Sequence, residues 1–335
     1  MTPDTRDLAP RLRALAPRRL GRLGGADNPA RPVFLALAAL AVVGWLVVAV
    51  DGGQFLGQEN IVGIQQRSAA LGIVAVGQTL AILAGSLDLS VAVVISLSSL
   101  VAAETMADYG VLPAIGAVLA VSALTGLLNG LVITRLKVHA FIATLGVTLI
   151  VKGVLDHRYD GPAGSVPPSF QRLGYDRIGP VPVSALLWAA IAVAAWFLLR
   201  RTTLGYRIYA VGGDPEVARL SGVRTDRVLV VTHVLCSLCA GIAGLLLASR
   251  LGAGAPTVGT DGGYDLESIA AVVLGGTALA GGRGGVAGTV GGVLVLAVLD
   301  SVFNQLEVNS FAKDVVRGLV IVAALAIYAR RRRSA

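Results

Sequence analysis

The sequence predicts an all-α polytopic membrane protein, and three observations carry that prediction. Its 335 residues are 55% hydrophobic and only 14% charged, with a mean hydropathy of +0.76; a soluble chain carries about a quarter charged residues. Glycine occurs 42 times, a composition suited to closely packed membrane helices. Apolar runs of near-spanning length recur from residue 33 almost to the end. Lipid requires each span to satisfy its own backbone groups, so the runs are expected as one domain of packed helices.

The first 32 residues, "MTPDTRDLAPRLRALAPRRLGRLGGADNPARP", lack the apolar run of a signal peptide and read as a disordered, basic cytoplasmic tail. A transmembrane domain over residues 33–329 follows, and residues 330–335 form a second basic tail. The spans are expected at Val33–Val50, Ile61–Ala84, Leu89–Met106, Val111–Thr134, His139–Leu155, Val181–Leu199, Val228–Ser249, Leu266–Ala280, Val286–Leu306 and Phe311–Tyr328. This is a count of about ten by the length rule for spanning helices.

Charge tests that count. With the N-terminus inside, the internal segments hold the tail arginines, Arg135 and Lys137, the arginines of 200–227, Arg283 and Arg330 to Arg333. Removing or adding one span would put later basic loops outside, against the positive-inside tendency; both termini are therefore expected in the cytoplasm. The net charge of +8 follows from this topology and implies no nucleic-acid partner.

The longest inside loop, "RRTTLGYRIYAVGGDPEVARLSGVRTDR" at 200–227, turns at Gly212-Gly213. Asp214, Pro215 and Glu216 then read as N-cap, N1 and N2 of a short helix ending near Gly222. Such a helix is either a handle for a soluble partner or a solvated linker. The longest outside segment, 156–180, is rich in Gly and Pro and reads as a surface loop.

Catalytic motifs are missing. The chain has no G-x-x-x-x-G-K-[ST] and no H-E-x-x-H, and without a P-loop "LSGV" at 220–223 is a chance likeness to the ABC ATPase signature. His233 lies in an apolar span, where it reads as a packed neutral imidazole. Cys236 and Cys239 form a lone C-x-x-C with apolar flanks and no second ligand pair, so they read as small core residues. No metal site and no enzyme activity are expected.

Ionisable residues within or near the spans are Asp88, Glu104, Lys152, Glu267, Asp300, Asp314 and Arg317. Asp300 falls in the last half of its span, and a carboxylate at mid-bilayer costs about 2.5–3.5 kcal/mol, so it must face protein or water. It keeps open an ion-coupled secondary transporter; a non-transporting scaffold or channel is a further alternative. Asp88, within "LAILAGSLDLSVAVVISLSSL", has two overlapping readings: a cap on the third span, contributing ~1 kcal/mol, or a liner of a water-filled path through the broken segment Gly85 to Ser90.

Three stretches in order carry a family resemblance. "GQTLAILAGSLDLSVAVVISLSS" resembles the G-M-T-x-V-I-x-T-G-G-I-D-L-S-V-G signature of sugar permeases of ABC importers. "YAVGGDPEVARLSGVRTDRV" is similar to that family's cytoplasmic loop, and "VVLGGTALAGGRGGVAGTVGGVLVLAVLDSVFNQLEV" to its Gly-rich C-terminal signature. The resemblance implies a ten-helix, type II ABC importer-like permease for monosaccharides in the bacterial cytoplasmic membrane. It implies a second permease copy, two ABC ATPase subunits, an extracytoplasmic sugar-binding protein and surrounding lipids as partners. ATP and Mg would be bound in the ATPase subunits, with no cofactor on this chain. It implies ATPase coupling at Gly213, Asp214, Glu216, Arg219 and Gly222.

Polarity, with the signature's position, suggests Gln78, Thr79, Asp88, Ser90, Asn129, Thr144 and Thr277 along the substrate path; ordinary interhelical hydrogen bonds explain such residues as well. The sequence departs from the family pattern in three places. Gly85-Ser86-Leu87 stands where Gly-Gly-Ile is usual, Ala92 where Gly is usual, and Asp300-Ser301 where an Asn pair is common. The first two departures suggest looser packing or a different partner surface.

Overall fold

The computed structural model describes residues 31–50, 52–309, 311–313, 315, 316, 318 and 319. Both basic tails and most of the expected span at Phe311–Tyr328 lie outside the described residues, Asp314 and Arg317 among them. Among the described residues, eight helices are long and apolar enough to cross a membrane. They are α1 (Arg31–Val50), α2 (Gln58–Leu83), α3 (Val91–Tyr109), α4 (Val111–Arg135), α5 (Ala140–Arg158), α7 (Val183–Arg201), α10 (Thr225–Leu251) and α13 (Val286–Gln305). Between them lie α6 (Pro168–Tyr175), α8 (Thr203–Gly213), α9 (Pro215–Leu220), α11 (Val258–Asp261) and α12 (Tyr264–Leu274). Helix α1 takes in Arg31 and Pro32, which the sequence placed in the tail.

Burial separates centre from rim. The apolar window of α2 is 89% buried, against 17% for α1 and α5. Helix α2 is therefore enclosed by protein, whereas α5 turns Phe141, Ile142, Leu149 and Ile150 outward, the face a lipid-contacting helix presents. Helix α10 packs along α4, α2 and α3, and α13 packs on α1, α2 and α12. Small residues set these approaches. Gly126 and Gly130 on α4, four apart, meet α10 backbone directly: an added Cβ would lie 2.7 Å from the Cα of Val234 and of Val230, respectively. This small-xxx-small contact brings α10 and its His233 beside Asn129 of α4. Cys236 and Cys239 are free and buried in the same core.

Two breaks interrupt the helical pattern. After α2, the Ser86 amide donates to Ala81 O at 3.0 Å and that of Gly85 to Ile82 O at 2.9 Å, with Gly85 at φ +79. This is a Schellman end requiring the left-handed conformation that glycine adopts freely. The second break corrects the expected span Leu266–Ala280. Helix α12 ends at Leu274, and Gly276, Gly281, Gly282 and Gly284 all have positive φ in the loop before α13. Eleven residues rise about 16 Å, roughly half a hydrocarbon core. The irregular backbone that follows is tolerated because protein surrounds it: Ala278 N donates to Arg283 O at 2.9 Å and Gly282 N to Leu83 O at 3.0 Å.

The segment 156–180, expected outside, is more ordered than a plain loop. Helix α6 packs on α10, and β1 (Arg177–Ile178) pairs antiparallel with β2 (Val181–Pro182) in the register Arg177↔Pro182 and Ile178↔Val181.

Candidate functional site

The break after α2 places a carboxylate in the protein interior. Asp88 is fully buried; its Oδ1 accepts from the Ser90 amide at 2.9 Å and the Ser90 hydroxyl at 2.6 Å. The bond to the Ser90 amide caps the turn leading into α3, whose own N-cap is Ser90. On the other side, Asp88 Oδ2 lies 3.1 Å from His233 Nδ1, and His233 Nε2 lies 2.8 Å from Ser86 Oγ. The network is satisfied when Nδ1–H donates to the carboxylate and Nε2 accepts the Ser86 hydroxyl proton. Asn129 Nδ2 donates to Ser90 Oγ at 2.8 Å, and Leu89 N to Thr144 Oγ1 at 3.1 Å. Gln78 faces the Asp88 main chain, where one amide orientation donates to Asp88 O at 3.2 Å and accepts from Asp88 N at 3.3 Å.

The structure thus brings together Gln78, Asp88, Ser90, Asn129 and Thr144. Thr79 turns elsewhere, meeting Thr289 Oγ1 at 2.7 Å, and Thr277 sits in the loop before α13, where its Oγ1 accepts from Gly285 N at 3.3 Å. All seven side chains are buried, so in this conformation they face protein, as interhelical bonds would have them. The sequence missed Ser86 and His233 as partners. One signal was present: Ser86 stands where the signature has glycine, and its hydroxyl is what His233 binds. This departure and the one at Ala92 do not loosen packing. Ser86 is 4% exposed, and a Cβ on Gly259 would fall on the Ala92 carbonyl.

Ser86, His233 and Asp88 are linked in the order of a hydrolytic triad, but burial rules out that chemistry. A triad needs its nucleophile open to substrate and beside an oxyanion hole, whereas this serine is enclosed. The arrangement braces α2, α3, α4 and α10 at the break.

The loop at 200–227 forms the helix expected of it. Asp214 Oδ1 accepts from the amides of Glu216 at 2.9 Å and Val217 at 3.0 Å, capping α9. At the far end Gly222 has φ +81; Val223 N donates to Ala218 O and Gly222 N to Arg219 O, each at 3.0 Å, another Schellman end. Glu216 and Arg219 pair at 2.6 Å on the exposed face, each side chain 64% accessible. The Arg219 hydrogen bond holds the Glu216 carboxyl below its ordinary range and, reciprocally, the guanidinium above its own.

Glycine contacts join this loop to the break. Gly212, next to last in α8, lies against Leu83, where an added Cβ would overlap the Leu83 carbonyl. A Cβ on Gly281 would come within 2.9 Å of the Cα of both Gly212 and Gly85. Backbone from α8, the end of α2 and the loop before α13 therefore meets with no side chain between. From Gly85 the chain runs three residues to Asp88.

Asp300 is not an isolated mid-span carboxylate. It lies five residues from the end of α13 and lines a cavity with Arg67, Arg250 and Glu267, while Ser301 donates to Asn60 Oδ1 at 2.7 Å. Among the described residues, no group of three or more His, Cys, Asp or Glu side chains is arranged to hold a metal ion.

A bundle of apolar helices with two broken segments at its centre and an exposed capped helix at one end defines a polytopic permease. Residues 60–325 match the family described as the branched-chain amino acid transport system / permease component, and the chain belongs to that family. It is 36% identical over 287 residues to the ribose import permease protein RbsC of Escherichia coli (strain K12), covering 84% of this chain and 89% of that one. It is 38% identical over 297 residues to RbsC of Bacillus subtilis (strain 168), covering 87% and 90%. The L-arabinose transport system permease protein AraH of Escherichia coli (strain K12) is 37% identical over 268 residues, covering 79% and 81%. No solved structure matches the chain. The chain is a transport component rather than an enzyme, and the ion-coupled alternative built on Asp300 is not favoured.

Proposed function

We propose that this chain is the membrane permease of an ATP-driven importer that carries a monosaccharide across the bacterial cytoplasmic membrane. The observation that carries the reading is the backbone contact of Gly212 with Leu83, which ties the loop bearing α9 to the break beside Asp88. Helix α9, with Gly213, Asp214, Glu216, Arg219 and Gly222, is the surface on which an ABC ATPase subunit docks. ATP and Mg belong to that subunit. Movement of α9 passes through α8 and the glycine contacts to the ends of α2 and of the loop before α13.

The buried cluster of Gln78, Asp88, Ser90, Asn129 and Thr144 is the closed inner gate. These side chains, with Thr79 and Thr277, meet solute only when the segments around Gly85 and Gly281 part. A gate that is closed by hydrogen bonds within the protein has no need of tight solute binding, so affinity comes from an extracytoplasmic binding protein. A second permease copy completes the path. The test is substitution of Glu216 by Gln and Arg219 by Gln in the complex reconstituted with its ATPase and binding protein. Sugar-stimulated ATP hydrolysis is expected to fall towards the basal rate; unchanged stimulation contradicts the docking assignment.

A further inference from the structure

Where α7 ends and α8 begins, an apolar outward face turns into a cationic one. Val193, Trp196 and Phe197 are exposed on α7, the face that a spanning helix turns to lipid. Arg200 and Arg201, both exposed, follow Trp196 and Phe197 by four positions each. Each arginine therefore stands on the same helix face as its aromatic neighbour, about 6 Å further along the axis. On α8, Tyr206 and Arg207 are again exposed, side by side in sequence. None of the three arginines forms an ion pair with a carboxylate among the described residues, and from Arg177 to Gly213 the sequence contains no Asp or Glu.

The corner between the two helices is held firmly. Thr202 Oγ1 accepts from the Gly205 amide at 3.2 Å and donates to Leu198 O at 2.7 Å. A Cβ on Gly205 would overlap the Leu199 carbonyl, so the first turn of α8 rests directly on the last turn of α7. Arg200 is close enough for its charge to act on Tyr209, whose hydroxyl donates to Gly284 O at 2.9 Å. From this corner α8 runs to Gly212, the residue that meets Leu83.

We propose that the α7–α8 corner binds the headgroup of an anionic phospholipid. Guanidinium forks match phosphate oxygens in pairs, and tryptophan rings settle at the headgroup level of a membrane. Val193 and Phe197, deeper on α7, meet the acyl chains. Unpaired positive charge that adjoins an apolar face selects a ligand anionic at one end and apolar along the rest. A zwitterionic headgroup brings its own cation to the phosphate, so the excess charge of the corner favours a net-anionic lipid. An acidic protein surface would satisfy the arginines but leave the apolar face below them uncovered. The headgroup holds one end of α8, and the other end of the same helix touches the break.

Tryptophan quenching by brominated lipids tests the assignment on the intact chain in lipid–detergent micelles, with no ATPase or sugar present. Of the three tryptophans, Trp188 is buried against Gly72 and Trp45 is removed as Trp45→Phe, which leaves Trp196 as the exposed reporter. Dibrominated phosphatidylglycerol is expected to quench at a concentration lower by an order of magnitude or more than dibrominated phosphatidylcholine. Arg200→Gln combined with Arg201→Gln should weaken the phosphatidylglycerol effect about fivefold for each arginine removed and leave phosphatidylcholine unchanged. Arg177→Gln, at an exposed position of β1, should alter neither. Raising salt from about 0.1 M to about 1 M should remove most of the preference in the chain that keeps its arginines. Equal quenching by the two lipids overturns the proposal, as does a preference that survives both the double variant and high salt. Absence of quenching by either lipid, the result if a second copy or another protein covers this face, overturns it too. So does a double variant that loses co-elution with an ATPase subunit while keeping its lipid preference, because the arginines would then serve a protein partner. None of these outcomes bears on the transport reading, since nothing in the experiment is transported.

Discussion

His233 and Asp88, 145 residues apart in sequence, lie 3.1 Å from each other with both side chains fully buried. The contact holds α10 against the break between α2 and α3, and Ser86 completes it from the same break. A buried carboxylate persists in apolar surroundings only when hydrogen-bond partners replace water, and Asp88 has partners from Ser90 and His233.

Removing one member should therefore cost more than a typical core substitution. Each buried donor left unsatisfied when its partner is deleted costs about 1–3 kcal/mol. Asp88→Ala is expected to lower the thermal midpoint, read by fluorescence-detected size exclusion, well below that of Asp88→Asn, which keeps the shape and the Ser90 contacts. Equal midpoints for the two variants would remove the carboxylate from the brace.

Gly212 admits no side chain, because a Cβ there would meet the Leu83 carbonyl, whereas one on Gly213 meets nothing within 4 Å. Gly212→Ala should force α8 away from α2 and reduce ATP-driven uptake by an order of magnitude or more, while Gly213→Ala leaves the thermal midpoint unchanged. Uptake by Gly212→Ala at the native rate would show that motion does not pass through this contact.

Asp214 caps α9 through two amides. Its replacement by alanine should cost the helix about 1 kcal/mol. Hydrogen exchange should rise at the amides of Glu216 and Val217 and stay unchanged in α10.

The Glu216–Arg219 pair carries its own pH dependence. Its carboxyl titrates below the ordinary value of 4.5 because Arg219 bonds and attracts the charged form. A lowered acid contributes its stabilisation at neutral pH and loses it as pH falls through the lowered value. Exchange in α9 is thus expected to be flat from neutral pH down to 4.5 after correction for intrinsic rates, and to increase only below that. An increase near pH 6 would implicate another group. Being exposed, the pair contributes little to overall stability.

What was legible in the sequence was local. Asp214-Pro215-Glu216 and Gly222 delimit α9 because capping depends on neighbours a few residues away. Hydropathy located the long helices for the same reason. Asp88 reads from sequence as a cap or a path liner, and its bond to the Ser90 amide is the local half of its surroundings; the His233 half is set by how α10 packs on α4, which no short window contains. Polarity picked out Gln78, Asn129 and Thr144, but polarity does not distinguish a side chain facing water from one buried against a partner. The expected span Leu266–Ala280 carries no charge after Glu267, and hydropathy hides the break that Gly275-Gly276 makes in it. Asp300 stood out as lone in sequence because Arg67, its neighbour across the cavity, is more than two hundred residues away.

The most direct test is solute accumulation in vesicles. The chain is reconstituted with the binding protein outside, with or without its ATPase subunits, and internal labelled D-ribose, L-arabinose or D-galactose is followed against a concentration gradient. Accumulation that requires both the ATPase and ATP is the expected result. Accumulation by the chain without the ATPase would contradict the account, because α9 would then be no lever and the energy would have to enter elsewhere.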